Sequence, residues 1–324
     1  MRYFCTYFDR HYLTRGLTLY RSLQKHAGDF VLWVLCLDDV SYDALTRLDL
    51  PNLRPISLPQ LEKADPGLLE IKQTRSRIEY YFTCSPVLPL YILNSSPDVD
   101  LITYLDADLF FYADPQPLYD ELGDESILII EHRFPARLRY LESRGVFNVG
   151  LLAFRNDPSG RQCLDWWRER CLEWCYDRLE DGRFADQKYL NDWPTRFSHV
   201  VVLQHKGANL APWNWSNYHL QVRGEQAMVD GQPLIFYHFH GLKCINDRLY
   251  EPGLLGYGRM PSSVRRWLYG PYMRVLHDAT QWAHQEVPNI TLTGRDTRVG
   301  QYGWLKLILR LFQRQIMMTK SSGG

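Results

Sequence analysis

Short apolar runs alternate along this chain with stretches in which apolar residues return every three or four positions. Residues 3–7 (YFCTY) and 30–37 (FVLWVLCL) read as strands, and Leu13, Leu17, Tyr20 and Leu23 mark a helix between them, up to His26. Strand, helix, strand is a βα unit, the opening of a parallel sheet. A short strand at 53–58 and a polar helix from Pro59 follow. An aromatic helix at 80–93 then leads into the run at 101–105. Residues 126–130, 147–154, 199–203 and 234–237 read as further strands. Residues 161–179 carry Leu164, Trp167, Cys171, Trp174 and Arg178 at helical spacing, ending near Gly182. Phe184 opens another short helix, with Asp186 and Gln187 in its first turn. Helical patterns return at 262–268 and 272–286. The pattern predicts an α/β fold: a mixed, mainly parallel sheet flanked by helices. Residues 1–250 form the main domain and 251–324 a C-terminal helical appendage.

The stretch Leu101-Ile102-Thr103-Tyr104-Leu105-Asp106-Ala107-Asp108 stands at the centre of this pattern. No polar alternation marks a solvent side, so the strand is read as buried on both faces. Burying an unpaired carboxylate costs several kcal/mol, which puts Asp106 and Asp108 where the strand leaves the sheet. Ligands bind at such carboxyl ends in open α/β sheets. In extended chain, residues i and i+2 point to one side, so the two carboxylates can share a divalent cation. The alternative is a pair of acids capping the following turn.

The 324 residues, 45% hydrophobic, suffice for a large core. Basic and acidic residues balance at 37 each, which argues against broad capture of nucleic acid. Seven cysteines with no C-x-x-C pair fit a reducing, cytoplasmic compartment. Cys163, Cys171 and Cys175 are expected to fill the core along one helix. Met1-Arg2-Tyr3-Phe4 enters a strand at once, so no signal peptide is expected, and no run of 18 apolar residues could span a bilayer.

No G-x-G-x-x-G follows the first strand, so a bound nucleotide would be held by side chains such as Tyr7 and Asp9. Lys72, Arg75 and Arg77 could meet a diphosphate, although a solvated helix face explains them better. Gly150, two residues after Asn148, marks a close approach of backbone or ligand. Near the end of the last strand, His238-Phe239-His240-Gly241-Leu242-Lys243 offers an imidazole suited to Mn or Zn, a permissive glycine and a phosphate-neutralising lysine. Trp213 and Trp215 in the aromatic loop 207–215 could stack on acceptor sugar rings or fill the core.

Together these residues resemble the nucleotide-sugar glycosyltransferases of the GT-A (Rossmann-like) fold, and most nearly glycosyltransferase family 8. The resemblance covers about residues 1–245. Asp106-Ala107-Asp108 is similar to the family's D-x-D metal motif, Phe147-Asn148-Val149-Gly150 to its F-N-[AS]-G strand, Asp186-Gln187 to its D-Q pair, and His238 to Gly241 to its H-x-x-G. The chain departs from the family in having Lys188 after D-Q, Lys243 only two residues after Gly241, and no arginine just upstream of the central strand. The resemblance implies transfer from a nucleoside diphosphate sugar, UDP-linked by preference, to a glycan, glycolipid or protein acceptor, with retention. It implies Mn²⁺ or Mg²⁺ held by Asp106, Asp108 and His238, with His240 as the substitute ligand. Asp186 and Gln187 would lie at the donor sugar, and Tyr7, Asp9, Asp106, Asn148, Gly150, Gly241 and Lys243 would hold the donor. A nucleotidyltransferase would need a Gly-rich basic loop that residues 8–16 lack. A non-catalytic sugar-binding protein has no need of Asp106, Asp108 and His238 together.

Beyond the resemblance, Lys306, Arg310 and Arg314 recur every four residues within 304–318. A helix there is too short to span a bilayer and has a basic stripe suited to the inner membrane surface, or to docking on protein.

Overall fold

The computed structural model describes residues 1–246, 249–254, 256–287 and 317–318. The first half runs β1 (Arg2–Phe8), α1 (Leu13–His26), β2 (Phe30–Cys36), α2 (Asp39–Leu48), β3 (Leu53–Ser57), α3 (Leu58–Ala64), α4 (Gly67–Ile71), α5 (Arg77–Ser95) and β4 (Leu101–Leu105). Next come β5 (Leu109–Phe111), α6 (Gln116–Leu122), β6 (Ile127–Glu131), β7 (Phe147–Arg155), α7 (Pro158–Glu173), α8 (Trp193–Arg196) and β8 (Val200–Val202). A small antiparallel sheet of β9 (Leu220–Arg223), β10 (Gln226–Val229) and β11 (Gln232–Pro233) precedes β12 (Phe236–His238), β13 (Lys243–Asn246) and β14 (Leu249–Glu251). Last come α9 (Ser262–Val264), α10 (Gly270–Glu286) and β15 (Met317–Met318).

The main sheet has the order β3-β2-β1-β4-β7-β6-β8. Its pairings are parallel except where β7 lies antiparallel between β4 and β6. Strand β2 explains why: all seven of its residues are buried, as expected of a parallel strand covered on both faces. Its pleat feeds two cores. Phe30, Leu32, Val34 and Cys36 join Leu17, Tyr20 and Leu23 of α1 on one face. Val31, Trp33 and Leu35 join Val87 and Leu88 of α5 and Leu164 and Trp167 of α7 on the other. Helix α5 keeps Pro86 and Pro89 in its interior, so its stability comes from packing against α7 and the sheet and not from an unbroken hydrogen-bond ladder.

Several sequence expectations are corrected. Helix α7 stops at Glu173, because Trp174 is extended (φ −151°, ψ 117°), so Cys175 is buried beyond the helix and not along it. The spacing that continues through Trp174 and Arg178 reflects loop packing: Arg178 and Arg183 lie over the Trp174 ring at 5.9 and 4.7 Å. The strand expected at 234–237 begins at Phe236 and joins β5, not the main sheet. Of the stripe at 304–318, residues 304–316 lie outside the described residues, and Met317–Met318 pairs with β14 as a strand instead of closing a helix.

The described part of the C-terminal region packs on the main core. Ala279 and Ala283 of α10 share the α1 cluster, and Tyr272 stacks on Phe239 with ring centroids 3.6 Å apart. Among the described residues no helix is long and apolar enough to cross a membrane.

Candidate active site and metal centre

Asp106 and Asp108 follow β4 directly, but in a turn and not in extended chain: the Leu109 amide donates back to the Asp106 carbonyl at 3.2 Å. The turn reverses into β5, which pairs antiparallel with β12 so that His238 sits opposite Leu109. The Phe239 amide then donates to the Asp108 carbonyl at 2.9 Å. Backbone register thus delivers an imidazole to two carboxylates 130 residues away in sequence. His238 Nε2 lies 3.1 Å from Asp108 Oδ1 and 3.7 Å from Asp106 Oδ2. One donor atom from each residue falls within 4.8 Å of the others, the one such group among the described residues. Two hard carboxylates and one borderline nitrogen suit Mn²⁺ or Mg²⁺ better than a structural zinc, which takes four N or S ligands. The donor set therefore fits the cation that the sequence implies.

The next shell fixes this group. Tyr104 donates its hydroxyl to Asp106 Oδ1 at 2.9 Å. Burial holds His132 down to about 3, so its ring is neutral. Its Nδ1, 3.1 Å from the Val146 carbonyl, must then carry the proton, and its Nε2 accepts from Asn148 Nδ2 at 3.3 Å. That turns Asn148 Oδ1 toward the Gly150 amide at 3.1 Å. Gly150 is required for space: an added Cβ would lie 2.5 Å from Asn148 Oδ1 and 2.9 Å from His238 Nδ1. Gly150→Ala is accordingly expected to displace the imidazole and weaken Mn²⁺ binding roughly tenfold or more, as read by calorimetric titration of the metal. Unchanged affinity would separate His238 from the metal.

These three side chains open on a cleft of about 990 Å³. Tyr7, Asp9, Asn148, Asp186, Gln187, Trp213, His240, Gly241 and Lys243 also line it. His240 stays outside the three-donor group, its ring centroid 5.7 Å from that of His238. Trp215 does not reach the cleft. It is 5% exposed, in a core with Tyr237 and Phe239, which leaves no surface for an acceptor sugar.

No established family profile matches the chain. It is 34% identical to the uncharacterized protein YfnF of Bacillus subtilis over 251 residues, covering 75% of this chain and 82% of YfnF. To YfnD, also uncharacterized and from the same organism, it is 30% identical over 275 residues, or 84% and 87% of the two chains. The chain belongs to the family of YfnF and YfnD. Among solved structures, an active-site mutant of LgtC superposes with a TM-score of 0.54 at 16% identity, covering 85% of this chain and 95% of that one. The galactosyltransferase LgtC in complex with donor and acceptor sugar analogs gives 0.50 at the same identity and the same coverages. The fold is therefore of the GT-A type that the sequence predicts.

Within that fold, Asp186 and Gln187 lie in a turn just before a 3₁₀ helix (Lys188–Asp192), not inside a helix. Asp186 is 5% exposed, and burial raises its carboxyl to about 7. Gln187 donates to the Arg144 carbonyl at 3.3 Å. In the three-residue group, burial raises the Asp106 carboxyl, whereas at Asp108 the charge and hydrogen bond of His238, with the charges of His240 and Arg15, together outweigh burial and hold it low. His238 in turn is raised: burial lowers it, but the charge and hydrogen bond of Asp108 and the charge of Asp106 together outweigh burial.

Of the basic cluster before α5, only Arg77 lines the cleft. Lys72 binds the buried Glu62 carboxylate at 2.5 Å, and Arg75 lies 3.9 Å over the Tyr176 ring. Sequence reading passed over Arg15, His132, Phe134, Arg144 and Tyr257, which also line the cleft. Arg15 donates to the Leu242 carbonyl at 2.5 Å, bracing the Gly241–Lys243 segment from a helix 227 residues away. Only that fold contact, and no local motif, marks it.

Proposed function

We propose that this chain is a metal-dependent glycosyltransferase, of glycosyltransferase family 8 or a close cousin. In this reading it moves a sugar from a nucleoside diphosphate sugar, UDP-linked by preference, to an acceptor hydroxyl on a glycan, glycolipid or protein. One observation carries the reading: Asp106, Asp108 and His238 meet at a cleft that Asp186, Gln187, Gly241 and Lys243 also line. A divalent cation bound there would supply Lewis-acid neutralisation of the leaving diphosphate. Lys243 adds positive charge for the same phosphates, and Gly241, with φ +72°, allows close backbone approach. Asp186 Oδ2 already accepts the Ser85 hydroxyl at 2.7 Å. A carboxylate already engaged by a hydroxyl is placed to hold the hydroxyls of the donor sugar, and retention is what the family resemblance implies.

The test mixes the protein with Mn²⁺ and a panel of UDP-sugars and acceptors and measures released UDP, with the anomeric configuration of the product read by NMR. Metal-dependent release and a retained anomer are expected. No release, and no thermal stabilisation by any nucleotide sugar with Mn²⁺, would overturn the reading.

The acceptor is assigned to the cleft wall built by residues 132–144 and Tyr257. Arg133, at φ +56°, donates to the Leu203, His205 and Ala208 carbonyls and so holds this loop in a strained conformation. Phe134 stacks on the His132 ring at 4.7 Å, and Trp213 forms the floor with its indole N–H on the His132 carbonyl. Phe134, Leu141 and Tyr257 are half-buried and keep apolar faces toward the cleft, the kind of surface on which sugar rings stack. Phe134→Ala and Tyr257→Ala are each expected to raise the acceptor KM about tenfold and to leave UDP binding with Mn²⁺ within about twofold. Loss of UDP binding instead would move this wall to the donor side.

A further inference from the structure

Asp186 is held in place from two helices. Ala185 before it has φ +46°, a conformation that alanine adopts only when its surroundings impose it. Trp167 of α7 donates its indole N–H to the Asp186 carbonyl at 2.9 Å. Ser85 of α5, fully buried, donates to the Asp186 carboxylate at 2.7 Å. That uses the one proton of the serine hydroxyl, so the Tyr7 hydroxyl, 3.2 Å away, must donate to Ser85. The contacts do not end there. The Tyr7 ring packs on that of Tyr104, with centroids 5.8 Å apart, and the Tyr104 hydroxyl donates to Asp106. Adjacent parallel strands make this possible: Cys5 of β1 pairs with Tyr104 of β4, and Tyr7 lies two residues beyond Cys5 on the same face.

The row Asp186–Ser85–Tyr7–Tyr104–Asp106 therefore joins a carboxylate of the proposed sugar subsite to a carboxylate of the metal centre. Its middle members carry no charge and are mostly buried. The Tyr7 hydroxyl, engaged with Ser85, is already committed to this row, although its ring lines the cleft.

We propose that Ser85 and Tyr7 are positioning residues that hold the Asp186 carboxylate at the donor sugar in register with Asp106, and thereby make the site prefer an intact nucleotide sugar to the nucleotide diphosphate it leaves behind. The proposal rests on the transferase reading above. It assigns to two hydroxyls a discrimination between substrate and product: the sugar ring contacts the carboxylate they orient, and the diphosphate does not. Such a preference lets the spent nucleotide leave faster than an unreacted donor.

The test is calorimetric titration, with Mn²⁺ present, of UDP-glucose, UDP-galactose and UDP into wild-type protein and into the Ser85→Ala, Tyr7→Phe and Ser85→Thr variants. Ser85→Ala and Tyr7→Phe are each expected to weaken the tighter-binding nucleotide sugar about tenfold and to leave UDP within about twofold, with Ser85→Thr restoring the wild-type ratio. Thermal midpoints confirm that each variant is folded, and Tyr7→Phe removes one oxygen while keeping the ring. Equal weakening of sugar nucleotide and UDP would reduce both residues to core packing and overturn the proposal. Unchanged affinities would mean that Asp186 needs no support from them, and would overturn it too. Wild-type protein that binds none of the three, and is stabilised by no other nucleotide sugar with Mn²⁺, would overturn the transferase reading itself, a failure visible before any substitution is made.

Discussion

Asp108→Asn is expected to cut sugar transfer by roughly a thousandfold or more, the scale of losing several kcal/mol of charge neutralisation on the leaving group. Asparagine keeps the side chain's shape and removes the charge that sits 3.1 Å from His238 Nε2. Two effects follow without metal. The imidazole loses the nearer of the two carboxylates that raise it, and Asp106 loses a like charge that raises it alongside burial. These act in opposite directions on stability, so the EDTA-treated variant is expected to melt within a few degrees of wild type. With Mn²⁺ and UDP added, only wild type should gain thermal stability. Full turnover by Asp108→Asn in the presence of EDTA would sink the metal assignment.

That experiment tests a site whose residues were legible in the sequence and whose geometry was not. Asp106 and Asp108 declared themselves by ending a buried strand, since two charges there need a reason. The pleat of a strand, however, is not what makes them converge. A tight turn into β5 brings them together, and the β5–β12 pairing then sets His238 beside Asp108. Antiparallel pairing between segments more than a hundred residues apart leaves no periodic trace. For the same reason the reversed direction of β7 between β4 and β6 could not be read from its apolar run.

The misses share a cause: local pattern reports burial, and burial does not say which surface a residue is buried against. Trp213 and Trp215 look equivalent in the aromatic loop, yet Trp213 floors the cleft beside His238 and Trp215 turns into the core. Trp174 and Arg178 extend a helical spacing because their side chains stack in a loop beyond the helix end. Ser85 is an ordinary small residue of an aromatic helix until the fold sets it 2.7 Å from Asp186. Strands, helices and charged pairs in apolar context are short-range facts. A serine's partner is a long-range one.

Asp186 gives the other large effect, with activity and stability moving in opposite directions. Its carboxyl is raised from the ordinary 3.8 to about 7, first by burial and further by the charge of Asp106, against the hydrogen bond from Ser85. Between those two values the folded protein holds a proton that the unfolded chain has released. Stability therefore falls as pH rises from about 4 through about 7 and levels off above that. Asparagine keeps an acceptor for Ser85 and cannot ionise. In EDTA, Asp186→Asn should match wild type near pH 4 and exceed it at pH 8, by on the order of a few kcal/mol, read from chemical denaturation at both pH values. Turnover should fall roughly ten- to hundredfold, because a charge-assisted hydrogen bond to the donor sugar is replaced by a neutral one. Affinity for UDP with Mn²⁺ should be spared. A residue kept for packing would not be improved by its own removal; a carboxylate kept for substrate would. If Asp186→Asn is less stable than wild type at pH 8, or loses UDP affinity as much as turnover, Asp186 is a core residue and the sugar subsite must be sought along the cleft at Gln187.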